Sequence, residues 1–275
     1  MMGFAYRGGA LHCEDTPIAE IARAVGTPCY VYSHQLLLDG YHALAQAFAG
    51  LPHLICYAMK ANSNLAILRI FLQAGSGLDI VSGGELYRAL HAGTDPKKIV
   101  FAGVGKSAEE IEAGLKGDIL LFNVESLQEL QVMQDVAAHL HTRARVALRV
   151  NPDVDPKTHP YISTGLRQSK FGVPIRDARD IYRAMRALHN IDPVGVHAHI
   201  GSQITQVAPF QESVSKLVLL VQELRKDGLP IQYLDIGGGL GITYKDEGPP
   251  DPSQYAEALR PLLGALNCTV LLEPG

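Results

Sequence analysis

The sequence contains no tryptophan, few cysteines and no long apolar run. The four cysteines Cys13, Cys29, Cys56 and Cys268 lie far apart and form no C-x-x-C pair, so neither a disulfide framework nor a zinc site is predicted. No apolar stretch approaches the roughly 18 residues that a membrane span requires. The N-terminus lacks a basic start followed by an apolar segment, which together with reduced thiols favours a soluble chain in the cytoplasm.

The chain also has no large excess of positive or negative charge. The 24 basic and 28 acidic residues give a formal net charge of -4, and they are scattered along the chain. This pattern offers no electrostatic footprint for nucleic acid or anionic lipid, so neither is expected as a partner. A 47% apolar and 19% charged composition excludes a disordered or fibrous chain. The length of 275 residues suits one large α/β domain or two small ones.

From Leu54 onward, short apolar runs alternate with amphipathic stretches, which is typical of a parallel sheet. The predicted strands are Leu54–Ala58, Leu78–Val81, Lys98–Ala102, Ile119–Asn123, Arg145–Val150, Pro193–Ile200, Ile231–Ile236 and Thr269–Leu272. Predicted helices between them include Ser63–Leu72, Ser107–Leu115, Ser126–Leu140, Ile175–His189, Phe210–Lys226 and Ser253–Leu266, several with a serine cap. Eight units favour a closed (β/α)8 TIM barrel. An open doubly wound sheet is the alternative, although no G-x-G-x-x-G follows the first strand.

The first 50 residues do not follow this alternation. Gly26–Ser33 predicts a strand after a turn, and Gln35–Phe48 predicts a helix. We expect residues 1–33 to form an N-terminal segment outside the barrel and residues 34–275 to form the barrel. The sequence stops at Gly275, directly after the eighth predicted strand, and looks cut. The barrel is therefore expected to lack its eighth helix and to expose apolar surface on its first and last strands.

Charged residues mark the ends of several predicted strands, where barrels of this kind place their active sites. Lys60 ends the first strand, and apolar neighbours would disfavour its ammonium form and make it an amine nucleophile for Schiff-base chemistry. The alternative is an ordinary solvated lysine. Asp79, Arg149 and Glu273 are charged residues on apolar strands, which is costly unless they are paired or functional. Each could be a structural ion pair, but with Lys60 they favour a site.

Two histidines and a glycine run add to this pattern. His197 and His199 share one face of the sixth strand, with His199 nearer the rim. A histidine pair can bind metal, but no third ligand has suitable spacing and Ser202 better suits a phosphate or a stacked ring, so no metal is expected. The run Gly237–Gly239 closes the seventh strand, where backbone N–H groups could bind an anion, or it is a flexible turn. Glu85 is either a site residue or a helix cap.

Nine segments carry a more specific pattern. They are YAMKAN (57–62), DIVSGGE (79–85), FAGVGKS (101–107), RVNP (149–152), THPYISTG (158–165), SKFG (169–172), HAHIGSQ (197–203), GGGLG (237–241) and EPG (273–275). Together they resemble the fold-type III pyridoxal-phosphate decarboxylases, and within them the biosynthetic diaminopimelate decarboxylases. The resemblance spans almost the whole chain. It implies an alanine racemase-like TIM barrel, pyridoxal 5'-phosphate as the cofactor and a homodimer as the assembly.

The resemblance also implies a reaction, the decarboxylation of meso-2,6-diaminopimelate to L-lysine and carbon dioxide in lysine biosynthesis. Lys60 would carry the cofactor covalently, His199 would stack on its ring, and Glu273 would pair with the pyridine nitrogen. Such a carboxylate keeps the ring electron-accepting, whereas the alanine racemases place an arginine there. The remaining cofactor contacts implied are Ser202, Gly237, Gly238 and Gly239 at the phosphate, with Asp79 and Arg149 supporting Lys60 and His199.

Two features of the family are absent from this sequence. The arginine that follows Glu-Pro-Gly at the phosphate and the C-terminal β-domain with its proton-donating cysteine are both missing. We therefore expect weak cofactor binding and little activity from this chain alone. Two alternatives stay open: a sister decarboxylase acting on ornithine, arginine or carboxynorspermidine, and a cofactor-binding barrel without catalysis. The segment Thr158–Gly172 and the HIGSQ motif favour diaminopimelate.

Overall fold

A computed structural model describes residues 3–156, 165 and 171–275. Its strands are β1 (Phe4–Arg7), β2 (Ala10–Cys13), β3 (Thr16–Pro17), β4 (His53–Ala58), β5 (Gly77–Ile80), β6 (Ile99–Phe101), β7 (Leu121–Val124), β8 (Ala144–Asn151), β9 (Val173–Pro174), β10 (Ile191–His197), β11 (Tyr233–Asp235) and β12 (Thr269–Leu272). Its α-helices are α1 (Ile18–Val25), α2 (His34–Ala47), α3 (Leu65–Gln73), α4 (Gly83–Ala92), α5 (Ala108–Lys116), α6 (Leu127–His139), α7 (Ile175–Met185), α8 (Ala208–Lys226) and α9 (Pro252–Leu263).

Eight of these strands form a closed parallel barrel, in the order β4-β5-β6-β7-β8-β10-β11-β12. The ring closes because β12 pairs with β4 in parallel, with Leu271 opposite Leu54. The two-residue strand β9 adds to the end of β8 outside the ring. The barrel predicted from the alternating pattern is confirmed, and the open doubly wound sheet is excluded by the closure. The eight predicted strands match the observed ones to within a few residues at each end.

The barrel forms because its strands are mostly apolar and its helices are apolar on one face. Residues of β5 and β7 are all buried, as expected for a parallel sheet covered on one side by helices and filled with side chains on the other. Ser107 and Ser126 cap α5 and α6 as predicted, and Ser82 caps α4, a helix the sequence analysis did not list. Glu85 accepts a hydrogen bond from Val81 N at 2.7 Å, so the structure supports its interpretation as a helix-start residue.

Helix α2 occupies the place in the outer ring that lies between the last helix and the first. It packs against both α9 and α3, and it buries Leu44 and Phe48 beside the junction of β12 and β4. The Phe48 ring lies 5.8 Å from the ring of Tyr255 on α9. The expectation that the first and last strands are left uncovered is therefore wrong. The sequence pattern shows α2 as a helix but does not show that it returns to close the ring.

The N-terminal region differs from the prediction as well. Residues 26–33 form no strand, whereas residues 4–17 form a separate antiparallel sheet of β1, β2 and β3. Gly8 and Gly9, both at positive φ, make the two-residue turn between β1 and β2. The predicted strand is wrong, because residues 26–33 pair neither with the barrel sheet nor with the sheet of β1, β2 and β3. Glu14 joins the small sheet to the start of α2 by accepting from Ser33 Oγ at 2.7 Å.

Across the described part of the chain, none of the helices has both the length and the apolar character needed to cross a membrane.

Candidate active site

A cavity of about 250 Å³ opens at the C-terminal ends of the barrel strands. Four of the residues predicted for the site line it: Lys60, Arg149, His199 and Glu273. The remaining lining residues are Val81, Ala102, Gly103, Glu125, Phe171 and His197. The four predicted residues come from different strand ends, so the closed barrel brings them together as the sequence analysis expects.

Lys60 and Asp79 form an ion pair at one wall of this cavity. Lys60 Nζ lies 3.1 Å from Asp79 Oδ2, and the side chain of Asp79 is fully buried while that of Lys60 is 56% exposed. Burial lowers the pKa of Lys60, but the nearby Asp79 and Glu273 outweigh burial and raise it above its ordinary value. The expectation of a lysine with a disfavoured ammonium form is therefore wrong, because β5 places a carboxylate next to it.

The pKa of Asp79 is also raised. Burial and the charge of Glu273 raise the pKa of Asp79 to about 8, although Lys60 acts in the opposite direction. Its other oxygen, Oδ1, is buried and has no hydrogen-bond partner among the described residues. Lys60 and Asp79 thus form a pair that gains or loses a proton near neutral pH, directly beside the cavity.

His199 is fixed by the glycine turn. Gly238 N donates to His199 Nδ1 at 3.2 Å, and burial together with Arg149 lowers the pKa of His199 to about 3. The imidazole is therefore neutral, with Nδ1 as the acceptor. A neutral ring held at one nitrogen can stack on another ring without requiring a counter-charge.

The glycines of this turn are required by close backbone packing. A Cβ on Gly238 would lie 2.1 Å from the Glu273 carbonyl oxygen, and one on Gly239 would lie 2.0 Å from that of Gly201. Gly237 N donates to Asp235 Oδ1 at 3.0 Å. The amides of Gly237 and Gly238 are thus both used inside the protein, so a phosphate at this turn would contact the chain from Gly239 onward.

Glu273 ends β12 within a set of buried polar side chains. Asn123 Nδ2 donates to Glu273 Oε1 at 3.1 Å and to Asp235 Oδ2 at 2.9 Å. His197 Nε2 lies 3.5 Å from Glu273 Oε2. Burial raises the pKa of Glu273, but neighbouring groups, Asp235 and Lys60 among them, outweigh burial and hold that pKa below its ordinary value. The carboxylate at this position is therefore ionised.

A metal ion is one alternative for this cluster. His197, Asp235 and Glu273 each present one possible ligand atom, and these atoms lie within 4.8 Å of one another. Asn123, however, directs amide hydrogens at both carboxyl groups. Positive hydrogens occupy the position that a cation would need, so the arrangement favours hydrogen bonding between the carboxyl groups over metal binding.

Arg149 is held in the cavity wall by Glu125. Its Nη1 donates to Glu125 Oε1 at 2.7 Å, and its guanidinium lies 4.7 Å from the centre of the Phe171 ring. Gly172 N also donates to Glu125 Oε2, at 3.2 Å. Glu125 thereby joins Arg149 on β8 to the chain that enters β9, and it forms part of the cavity wall.

A second buried ion pair supports this wall from behind. Lys106 Nζ lies 2.7 Å from Glu129 Oε1, and both side chains are almost completely buried. The same ammonium donates to the carbonyl oxygens of Gly103 and Asn123, each at 2.8 Å. Glu129 Oε2 accepts from Glu125 N at 2.8 Å. The lysine of the FAGVGKS motif is therefore a structural cation and not a phosphate ligand.

Ser202 is exposed, three residues beyond His199, and is not among the residues that line the cavity. The predicted segments THPYISTG and SKFG lie mostly outside the described residues, which include only Gly165, Phe171 and Gly172 of them.

Sequence reasoning missed Asn123, Glu125 and Asp235. A usable signal exists, because each is a polar residue on or directly after an apolar strand, which is the criterion that selected Asp79 and Arg149. His197 was noted as a neighbour of His199 on the same strand face but was given no role. Its burial and its position beside Glu273 place it in the site.

The fold is a closed (β/α)8 TIM barrel. Its cavity brings together the amine of Lys60, the neutral imidazole of His199 and the ionised carboxylate of Glu273, and it is large enough for a cofactor. The model of the family described as "Pyridoxal-dependent decarboxylase, pyridoxal binding domain" matches residues 36–275. The chain belongs to this family, and its cofactor is pyridoxal phosphate.

Similar proteins bear this description out. The chain is 48% identical over 273 residues to a diaminopimelate decarboxylase of Haemophilus influenzae, a match that covers 99% of this chain and 66% of that protein. It is 49% identical over 271 residues to one of Aquifex aeolicus, with 98% and 64% covered. The crystal structure of diaminopimelate decarboxylase from Helicobacter pylori complexed with L-lysine matches with a TM-score of 0.91 and 42% identity, covering 94% and 66%. The chain thus spans about 65% of the length of these relatives.

Proposed function

We propose that the chain is the cofactor-binding barrel of an enzyme that decarboxylates meso-2,6-diaminopimelate to L-lysine. One observation carries the proposal: Lys60, His199 and Glu273 line a single cavity at the C-terminal rim of a barrel that is 48% identical to a diaminopimelate decarboxylase. An enclosed space of about 250 Å³ suits a ligand with a single ring. The lining residue His197 also has ring nitrogens without a hydrogen-bond partner among the described residues, which a polar cofactor could satisfy.

These residues fit pyridoxal phosphate by their chemistry. Lys60 supplies the amine that would hold the aldehyde carbon, His199 supplies a neutral ring to lie against the pyridine, and Glu273 supplies the anion for the pyridine nitrogen. When bound, the cofactor supplies a conjugated ring that accepts the electron pair left as the α-carboxylate departs as carbon dioxide. An ionised Glu273 keeps a proton at the pyridine nitrogen, which favours decarboxylation over racemisation.

The phosphate contacts are proposed at the glycine turn. Gly237 and Gly238 shape this turn and position His199 and Glu273. Their two amides donate to Asp235 and His199, so the amide of Gly239 is the first in the turn that is proposed for the phosphate. Ser202 is exposed near the same end of the barrel and is proposed as a hydroxyl donor to the phosphate. The positive φ of Gly239, +98°, allows the backbone to turn toward an anion.

Asp79 and Arg149 support the site indirectly. Asp79 pairs with Lys60 at 3.1 Å, and its negative charge raises the pKa of that amine. Arg149 is held by Glu125 and packs over Phe171, so it places one fixed positive charge on the cavity wall. A positive charge there suits a substrate that carries carboxylates, as diaminopimelate does.

The assembly and location proposed for the protein are a cytoplasmic homodimer. Three of the four cysteines are buried and all four are free, which is compatible with a reducing compartment. The domain boundary is proposed at residue 33, since the sheet β1-β2-β3 is separate from the barrel sheet and Ser33 caps α2.

The deciding experiment measures labelled carbon dioxide released from meso-2,6-diaminopimelate by the protein from the complete reading frame that contains this sequence. Parallel reactions contain ornithine, arginine or L-lysine at the same concentration. The proposal expects turnover of diaminopimelate well above that of the other three. Preferential turnover of ornithine or arginine would assign a sister decarboxylase, and cofactor binding without release from any substrate would assign a non-catalytic barrel.

A further inference from the structure

Three buried polar side chains lie next to Glu273. Asn123 is on β7, His197 is on β10 and Asp235 is on β11, and all three are at most 1% exposed. Of these three, only His197 lines the cavity. Burying polar groups in this way is costly unless they satisfy one another.

The side chain of Asn123 fixes the two carboxyl groups next to each other. Its Nδ2 carries two hydrogens, and one is directed at Asp235 Oδ2 and the other at Glu273 Oε1, at 2.9 Å and 3.1 Å. The nearest possible ligand atoms of Asp235 and Glu273 lie within 4.8 Å of each other. The second oxygen of Asp235 accepts from Gly237 N, so its orientation is fixed at both ends.

Two ionised carboxylates this close in a buried site repel strongly unless a cation lies between them. Among the described residues, the nearby cations are engaged elsewhere: Lys60 pairs with Asp79, and Arg149 pairs with Glu125.

His197 is not a substitute cation. Neither of its ring nitrogens makes a hydrogen bond within the described part of the chain, and a charged imidazolium would need an acceptor at both. Burial also lowers the pKa of His197, although Glu273 acts in the opposite direction. The imidazole of His197 is therefore neutral. Without a cation between them, only one of the two carboxyl groups, Asp235 or Glu273, is ionised.

We infer that Asp235 is a carboxylic acid at neutral pH and that it donates its proton in a hydrogen bond to Glu273. Asp235 and Asn123 are then positioning residues, because together they present Glu273 to the cavity as a single, fixed anion. Glu273 is the ionised member because it lines the cavity together with the ammonium of Lys60, whereas Asp235 is completely buried and does not line the cavity. Burial and the adjacent Glu273 charge raise the pKa of Asp235 well above its ordinary value.

The other groups facing Asp235 do not alter this assignment. Cys56 on β4 and Tyr255 on α9 lie near it, and burial raises the pKa of both, so both are neutral. Asp79 on β5 faces Glu273 and adds negative charge as it ionises, which strengthens the retention of the proton on Asp235.

The consequence for the reaction rests on the proposed function. A carboxylate that already accepts two hydrogen bonds is a weaker base than a free one, so it stays ionised opposite a pyridine nitrogen and leaves the proton on that nitrogen. Without the donor at Asp235, Glu273 becomes more basic and competes for the same proton.

Infrared spectroscopy of the wild-type chain tests where the proton lies. Two samples carry a heavy carbon isotope in the side-chain carboxyl group, one of aspartate and the other of glutamate. We expect a carbonyl band of a protonated carboxyl that shifts with the aspartate label and persists above the titration of Asp79 near pH 8. A persistent band that shifts with the glutamate label, or the absence of any persistent band, overturns the inference.

Two variants assign the band. Asp79→Asn is expected to remove only the band that titrates, and Asp235→Asn only the band that persists. If Asp235→Asn fails to fold, the labelled wild-type samples still decide between aspartate and glutamate.

The positioning role has its own readout, the nuclear magnetic resonance shift of bound pyridoxal phosphate labelled at the pyridine nitrogen. Asp235→Ala is expected to move this shift toward the unprotonated value, and Asp235→Asn, which can donate again, to move it less. An unchanged shift in a cofactor-loaded Asp235→Ala variant overturns the positioning role. These measurements do not use turnover, so their failure is distinguishable from a failure to decarboxylate diaminopimelate.

Discussion

Lys106 Nζ lies 2.7 Å from Glu129 Oε1, with the side chains 1% and 7% exposed. This pair connects the loop after β6 to helix α6, and Glu129 in turn holds the backbone of Glu125 at the edge of the cofactor cavity. Loss of the Lys106–Glu129 ion pair would therefore affect both the stability of the barrel and the position of Glu125 in the cavity wall.

Replacing Lys106 by methionine is therefore expected to destabilise the fold strongly. It leaves Glu129 buried without its cation, and loss of one partner of a buried pair costs about 3 to 5 kcal/mol. The measurement is the free energy of unfolding in urea. The matched control is Lys116→Met, which breaks the exposed Lys116–Glu112 pair of α5 and should cost less than about 1 kcal/mol. Equal losses in the two variants would contradict the structural role of Lys106.

Asp79 predicts a pH dependence of stability. Its pKa is about 8 in the folded chain against an ordinary value of 3.8. The folded state thus keeps a proton that the unfolded state loses, and stability falls as the pH rises from about 4 to about 8. Asp79→Asn should flatten this part of the curve and stabilise the chain at the alkaline end, by an amount on the order of a few kcal/mol at most.

Urea unfolding across this pH range checks the prediction for Asp79. Asp246→Asn, a substitution of the same kind on an exposed loop, is the control and should leave the curve unchanged. A stability curve of Asp79→Asn that runs parallel to the wild-type curve would show that Asp79 does not titrate in this window.

Lys60 is expected to be the lysine that binds the cofactor covalently, because it lines the cavity beside Asp79. Borohydride reduction of the cofactor-loaded chain followed by peptide mapping should place the label on Lys60, and Lys60→Ala should lose it. Lys245→Ala, on an exposed loop, should retain the label. A label on any other lysine of the wild-type chain refutes the assignment.

Glu273→Gln should reduce decarboxylation more than cofactor retention, since the phosphate contacts are unchanged while the pyridine nitrogen loses its anionic partner. A loss of about 10² to 10³ in kcat is expected, as for removal of one preorganised electrostatic partner. Turnover and cofactor affinity are measured on the complete protein, with Glu257→Gln on the exposed face of α9 as the control. Equal losses of turnover and affinity would count against the role of Glu273.

Gly239→Ala should weaken both the fold and cofactor binding. The residue has a φ of +98°, and a Cβ would lie 2.0 Å from the Gly201 carbonyl oxygen. Strain of this kind costs about 1 to 3 kcal/mol, which corresponds to roughly 5-fold to 150-fold in affinity if it is relieved by opening the turn. Gly248→Ala, where a Cβ would meet nothing within 4 Å, is the control. Unfolding and cofactor titration of both variants test this, and wild-type behaviour of Gly239→Ala would contradict it.

The sequence alone determined the order of the eight barrel strands and the polar residues at their ends. Lys60, Asp79, Arg149 and Glu273 could be chosen because hydrophobic periodicity is a local property and charged residues interrupt it visibly. The place of α2 in the helix ring could not be chosen, because that position exists only once β12 pairs with β4 and brings α9 next to the chain that precedes β4.

Only the tertiary structure decided the partners of these residues. Asn123 reaches Asp235 and Glu273 across 112 and 150 residues of sequence, and no local pattern encodes such a separation. The amine of Lys60 has a raised pKa because the barrel places Asp79 and Glu273 near it, although its own neighbours in sequence are apolar. The charge state of a site depends on distances between groups, and in a parallel barrel those distances are set when the ring of strands closes.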